Sequence, residues 1–337
     1  MSSTLPDHNW TVRGHDWAVN HLRKGIANGR TRHAYLFAGI DGVGKRTLAY
    51  NFTMALNAPL PDEPGNIDFD SRAAKRVMSG NHPDIVLSFL DEKTGALKIE
   101  QVREVSSKLA LKPFEAKYRI AVLDDFQNAR PQAQDALLKT LEEPAETSLL
   151  LLLASGTEGI LSTITSRCQI INLRPVAIDV VRRTLEQERH VPPPDADLIA
   201  RVSGGRIGWA IAACEPDSPI LQARDEALAL LEQVLTQTRI GRFDVADRLG
   251  RDKLGVLPVL DLWLTYWRDV LMVANGAVFD ITNIDRQENI RDVAAIAGSD
   301  GAETALRATR DTLSTLRTTN TNPRLALEVM LLDYHGL

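Results

Sequence analysis

The chain has 337 residues, with 39 Lys plus Arg against 44 Asp plus Glu, a net charge of −5, 44% apolar residues and two cysteines. At roughly 100–200 residues per domain that is room for two or three domains, each with its own core. The apolar share excludes a disordered, collagen-like or mucin-like chain, and the mild acidity makes the chain a poor general nucleic-acid binder, with any DNA contact local or shared with partners, because affinity for phosphates scales with the cations presented.

Met1 to Trp10 is polar and has no basic region followed by an apolar one, so it does not read as a secretory leader. The longest aliphatic run, Leu149 to Ala154, is far too short to span a bilayer. Cys168 and Cys214 are far apart, which argues against a disulfide framework and against a four-cysteine zinc site. These features predict a soluble protein of a reducing, cytoplasmic compartment with no membrane partner.

In chain order, Ala34 to Ala38, Ile85 to Leu87, Arg119 to Leu123 and Leu149 to Ala154 are short apolar runs that read as central strands. Between them Lys45 to Leu56, Ile99 to Leu111 and Pro131 to Leu141 space their apolar residues by three and four, as helices do. The alternation predicts an α/β fold with a parallel sheet. Beyond Pro175 every strong pattern is helical. Val191-Pro192-Pro193-Pro194 reads as a loop and Glu215-Pro216-Asp217-Ser218-Pro219 as a linker. Leu221 to Thr236 reads as a long helix. Leu260, Trp263, Leu264, Trp267, Val270 and Leu271 then make one apolar stripe, read as core. Asn322-Pro323 is a helix start that sets Leu325, Val329 and Leu332 on one face.

Gly39-Ile40-Asp41-Gly42-Val43-Gly44-Lys45 follows a strand and opens a helix, the context of a phosphate-binding loop. Gly39, Gly42 and Gly44 let successive N–H groups turn inward, and Lys45 reaches toward the β- and γ-phosphates. The next position normally carries the Ser or Thr that ligates Mg²⁺, yet here it is Arg46, with Thr47 one residue late and rotated by about 100° on the helix. Arg46 is expected to touch phosphate or to stand in the metal's place. The expectation is ATP or ADP bound without efficient hydrolysis, with Mg²⁺ coordination in doubt. Asp124-Asp125, at the end of an apolar strand, stand where a P-loop ATPase keeps its metal-side carboxylate and its water-activating acid. Asp125 is shorter than the Glu of an ATPase motor. The plainer reading is two acidic residues capping the next helix.

Ser166-Arg167-Cys168, with Ile160 to Thr165 before it, resembles the serine-arginine-cysteine motif of the AAA+ clamp-loader family of bacterial DNA polymerase III. Ala136 to Lys139 with Thr140 to Pro144, Asn81-His82-Pro83-Asp84 and Arg32 to Leu36 resemble further segments of that family. The resemblance implies an AAA+ P-loop core over 1–174, a small helical lid over 175–218 and an all-α collar over 219–337. It implies that Arg167 acts in trans on the nucleotide of a neighbouring subunit, as an arginine finger; an ordinary surface ion pair is the plainer role. Cys168 beside it reads as a small buried residue. The implied partners are other clamp-loader subunits, of the gamma/tau and delta types, with the sliding clamp and primed DNA reached through the complex.

Three departures bear on activity. Residues 56–78 hold no cysteine where many relatives carry a zinc module, so no zinc is expected. Gly208 or Trp209 falls at the register of the family's lid arginine, and Arg206 is out of phase with it. Ser155, after the fourth strand, keeps a polar group where a γ-phosphate sensor belongs. The resemblance therefore implies a non-hydrolysing stator. An active gamma/tau-like motor and a P-loop small-molecule kinase are the alternatives, the latter having no use for Ser166-Arg167-Cys168.

Overall fold

The computed structural model describes residues 8–91, 95–277 and 281–334; Met1 to Asp7, within the stretch read for a leader, lie outside the described residues. The chain divides into two compact units, Met1–Thr184 with Gly205–Trp209, and Leu185–Gly204 with Ala210–Leu337.

The first unit begins with α1 (Asp16–Ala27), β1 (Ala34–Ala38), α2 (Lys45–Asn57) and a hairpin of β2 (Pro59–Leu60) and β3 (Glu63–Ile67). It continues with α3 (Arg72–Met78), β4 (Ile85–Ser88), α4 (Ile99–Leu109) and β5 (Arg119–Leu123). Then come α5 (Pro131–Asp135), α6 (Leu138–Glu142), β6 (Ser148–Ala154), α7 (Ser162–Thr165) and β7 (Gln169–Asn172). The main sheet has the order β4-β5-β6-β1-β7, with every neighbouring pair parallel. Leu36 sits opposite Leu152 on one side and Ile170 on the other.

Both faces of this sheet are covered, which is why its strands read as unbroken apolar runs. Tyr35, Phe37, Val122 and Leu151 pack with Leu48 and Phe52 of α2. The alternate residues Leu36, Ala121, Leu123 and Leu152 pack with Val102 and Val105 of α4 on the opposite face. Because the strands are parallel, the loops after β1, β5 and β6 leave the sheet at the same edge, where ligands of open α/β sheets bind.

α8 (Ile178–Glu188) follows, then α9 (Pro193–Val202), α10 (Ile207–Ala213), α11 (Ile220–Thr236), α12 (Arg239–Leu249), α13 (Lys253–Ala274), α14 (Gln287–Thr318) and α15 (Pro323–Leu332). α14 is interrupted at Gly298, whose φ of 63° breaks the helical path. The core of the second unit centres on Trp263, Trp267 and Tyr334, each fully buried, with the Trp267 and Tyr334 rings 5.0 Å apart. Trp263 Nε1 donates to the Ala227 carbonyl of α11 at 2.8 Å, so the stripe on α13 is core, as the spacing predicts.

Several details differ from the sequence reading. The segment 131–141 is two short helices, α5 and α6, rather than one. Pro193 and Pro194 open α9 instead of lying in a loop, because the first helical N–H groups have no intrahelical acceptor to lose. Asn322 caps α15 by accepting from the amides of Arg324 and Leu325. The face carrying Leu325 and Val329 points outward, at 57% and 62% exposure, while Leu327, Met330 and Leu331 face the core. The segment 175–218 contributes residues to both compact units, and the breaker-rich 215–219 stretch lies within the second. Cys168 is half-buried, and burial pushes its thiol up to about 12.

Candidate functional site

The loop between β1 and α2 is shaped by its glycines. Gly42 and Gly44 take φ of 78° and 113°, which favour glycine strongly. A Cβ on Gly39 would lie 2.5 Å from the Leu173 carbonyl oxygen, so close backbone approach demands glycine there. Gly44 precedes α2 without a side-chain cap, so the first N–H groups of α2 have no intrahelical acceptor. His15 Nε2 donates to the Val43 carbonyl at 2.9 Å and pins the loop from below. Burial holds that imidazole below its ordinary value, although the Val43 bond works in the other direction.

A cavity of about 350 Å³ opens in front of this loop, lined by Asp41, Gly42, Gly44, Lys45, Arg46, Thr47, Asp124, Asp125 and Gly208. Lys45 is buried, and its Nζ donates to the carbonyls of Gly39 at 2.5 Å and Ile40 at 3.2 Å and to Asp41 Oδ1 at 3.0 Å. The lysine thus curls back over its own loop. Of the residues singled out in the sequence, Gly39 stands behind the cavity as an acceptor for Lys45. Ser155 is exposed and does not line it; its amide donates to Gln127 Oε1 at 3.1 Å.

Arg46 reaches across to β5. Its Nε donates to Asp124 Oδ2 at 2.6 Å, and its Nη2 donates to the same oxygen. The guanidinium also lies 5.4 Å from the centre of the Phe89 ring, within cation–π range. The other carboxylate oxygen, Asp124 Oδ1, accepts the Asp125 amide at 3.0 Å. Asp125 itself has φ of 50°, a left-handed conformation that Asp tolerates better than most residues. Burial first, and the neighbouring Asp124 charge second, push its carboxyl above the ordinary value.

The donor set does not fit Mg²⁺. Position 46 brings a cation where a hydroxyl is needed, and that cation is already paired with Asp124 Oδ2. Among the described residues no group of three His, Cys, Asp or Glu side chains is placed to hold a metal ion. The 56–78 stretch holds the β2–β3 hairpin and α3.

Arg167 follows α7 and is exposed. Its Nη1 donates to the Thr163 carbonyl and its Nη2 to Glu142 Oε1, each at 2.9 Å. It does not line the cavity described above.

Residues 14–177 match the family described as DNA polymerase III, delta subunit. The chain is 27% identical over 263 residues to subunit delta' of DNA polymerase III from Bacillus subtilis (strain 168), covering 76% of each chain. The chain is a relative of the DNA polymerase III clamp-loader subunits. It is also 28% identical over 208 residues, 60% of its length, to subunit tau from Escherichia coli (strain K12), and spans only 31% of that longer protein. A solved gamma subunit-related protein of DNA polymerase III from Thermotoga maritima aligns with a TM-score of 0.44 and 16% identity, over 95% of this chain and 99% of that one.

In this clamp-loader relative, the Asn81-His82-Pro83-Asp84 segment is scaffold. Asp84 is fully buried and accepts from the amides of Phe114, Glu115 and Ala116 and from Arg119 Nη2 at 2.7–2.9 Å. Burial alone would raise its carboxyl, but these donors outweigh burial and hold it below the ordinary value. Gly208 lines the cavity, and its amide donates to the Gly42 carbonyl at 2.7 Å. Arg206 instead lies 5.2 Å from the Trp209 ring centre. Residues the sequence reading missed are Asp41, which partners Lys45; Phe89, which carries Arg46; and Gln127, which links Asp125 to Ser155. Asp41 was not legible as a partner, because the left-handed glycines of the loop, and not helical spacing, bring it to Lys45. Nor was Phe89, because it meets Arg46 only through strand order.

Proposed function

We propose that this chain is a stator of the DNA polymerase III clamp loader, of the delta prime type, acting in ATP-dependent loading of the sliding clamp onto primed DNA. The Arg46–Asp124 pair carries this reading. A P-loop ATPase needs its strand-end carboxylate for the metal, and here a guanidinium holds that carboxylate. The Asp125 side chain is also shorter than the Glu of an ATPase motor, which holds its carboxylate back from an attacking water.

In this reading Arg167 acts on the nucleotide of an adjacent gamma/tau subunit. A guanidinium stays charged at all working pH values and offers a planar fork to developing phosphoryl charge. The lid over 175–218 and the collar over 219–337 hold the ring with gamma/tau and delta subunits, in the cytoplasm. Alignment along 76% of both chains with a delta' subunit supports the assignment.

A gamma/tau-like motor is the second reading, favoured by the match to the tau subunit and by the intact glycine loop. Turnover separates the two. The purified chain should hydrolyse ATP at background and should enter a complex with gamma/tau and delta subunits. Turnover by the isolated chain that is lost on Lys45→Ala establishes the motor instead.

A further inference from the structure

We propose that Arg46 replaces the divalent cation of the phosphate loop, so that the cavity takes a nucleoside polyphosphate free of metal. The inference concerns this chain's own loop and stands apart from the role given to Arg167.

Three observations carry it. First, the fork from Arg46 onto Asp124 Oδ2 ties the start of α2 to the end of β5, the two places from which a P-loop protein grips its metal. Second, Asp124 Oδ1 accepts the Asp125 amide while Oδ2 holds the Arg46 fork, so a metal would have to share this carboxylate with a guanidinium. Third, Arg46 Nη1 has no hydrogen-bond partner among the described residues, and the side chain is 57% exposed on the cavity wall. A guanidinium joined to Asp124 by one edge keeps N–H groups on another for a phosphate oxygen.

The loop supplies the remaining contacts. The unsatisfied amides at the start of α2 face anions favourably, and Lys45 needs only to leave its own loop carbonyls and Asp41 to reach one. With the cation built into the chain, Mg²⁺ has a changed role. It must compete with Arg46 for Asp124, and it brings positive charge against a guanidinium that cannot deprotonate. Added Mg²⁺ should therefore not help binding. That is opposite in sign to an ordinary phosphate loop.

Titration calorimetry of the full chain with ADP and with inorganic pyrophosphate, in EDTA and in excess Mg²⁺, tests this. The wild-type chain should bind both ligands at least as tightly in EDTA as in Mg²⁺, and Lys45→Ala should lose binding in both conditions. Arg46→Thr, which restores the hydroxyl and frees Asp124, should reverse the order and bind ADP about tenfold more tightly in Mg²⁺. Melting curves establish that each variant is folded. A wild-type chain that binds more tightly in Mg²⁺, or that binds neither ligand, overturns the proposal. Either result leaves the loader's own turnover, which reads Arg167, as a separate measurement.

Discussion

Arg167 Nη2 lies 2.9 Å from Glu142 Oε1, joining the Ser166-Arg167-Cys168 segment after α7 to the last residue of α6. Both side chains are exposed, at 37% and 52%. An ion pair in such a setting contributes about 0–1 kcal/mol, so it orients the guanidinium without locking it. Glu142→Gln should accordingly change unfolding free energy by less than about 1 kcal/mol, read from denaturant melts. Turnover of the reconstituted loader should persist in this variant, because the arginine remains. Loss of turnover with Glu142→Gln would mean that the pair, rather than the arginine, is what the loader requires.

Asp84 accepts four hydrogen bonds from the 114–116 turn and Arg119 while fully buried. Asp84→Asn turns an amide donor toward these donors and leaves Arg119 without its counter-charge, at a cost of about 3–5 kcal/mol. The pH dependence has a definite sign. The folded carboxyl titrates below its unfolded value of about 4, so its contribution is complete above that pH and is lost as pH falls toward the depressed folded value. Acid melts of wild type and Asp84→Asn should therefore converge as pH drops below about 4. Parallel curves would show that Asp84 is not the titrating group.

What was legible in the sequence follows from physical causes. β1, β5 and β6 are almost wholly buried, and β4, at the sheet edge and half-buried at Val86 and Leu87, is still apolar over Ile85 to Leu87, so each is a continuous apolar run that could be read directly. The hairpin was not, because Pro59, Gly65 and Asn66 are poor strand formers held there by other contacts, including Trp10 Nε1 donating to the Gly65 carbonyl at 2.7 Å. β7, with Gln169 and Asn172 at its ends, lies at the sheet edge and carries little apolar signal. At α15 the cap was legible but the buried face was not, since both of its faces carry leucines. The glycines, Lys45 and Arg46 were legible as a loop. The partner of Arg46 lies 78 residues away and is set by strand order, so the choice between phosphate and metal position needed the fold.

In the second unit, Trp263 is fully buried and bonded to Ala227 of α11. Trp263→Ala should cost about 3–5 kcal/mol, through lost burial and the cavity left behind. Trp263→Phe keeps most of the volume and loses the hydrogen bond, so it should cost about 1–3 kcal/mol. Denaturant melts of both variants check the order. Equal and small losses would show that the α11–α13 packing is not a stability centre.

The most direct test of the stator reading is the DNA- and clamp-stimulated ATPase of a reconstituted loader, comparing the wild-type chain with Arg167→Ala after assembly of both is shown to be equal. The expected result is a large loss, on the order of 10³-fold if Arg167 serves the motor as arginine fingers do. The isolated chain should be inactive in either form. Undiminished turnover with Arg167→Ala would contradict the trans role and leave Arg167 as the surface partner of Glu142.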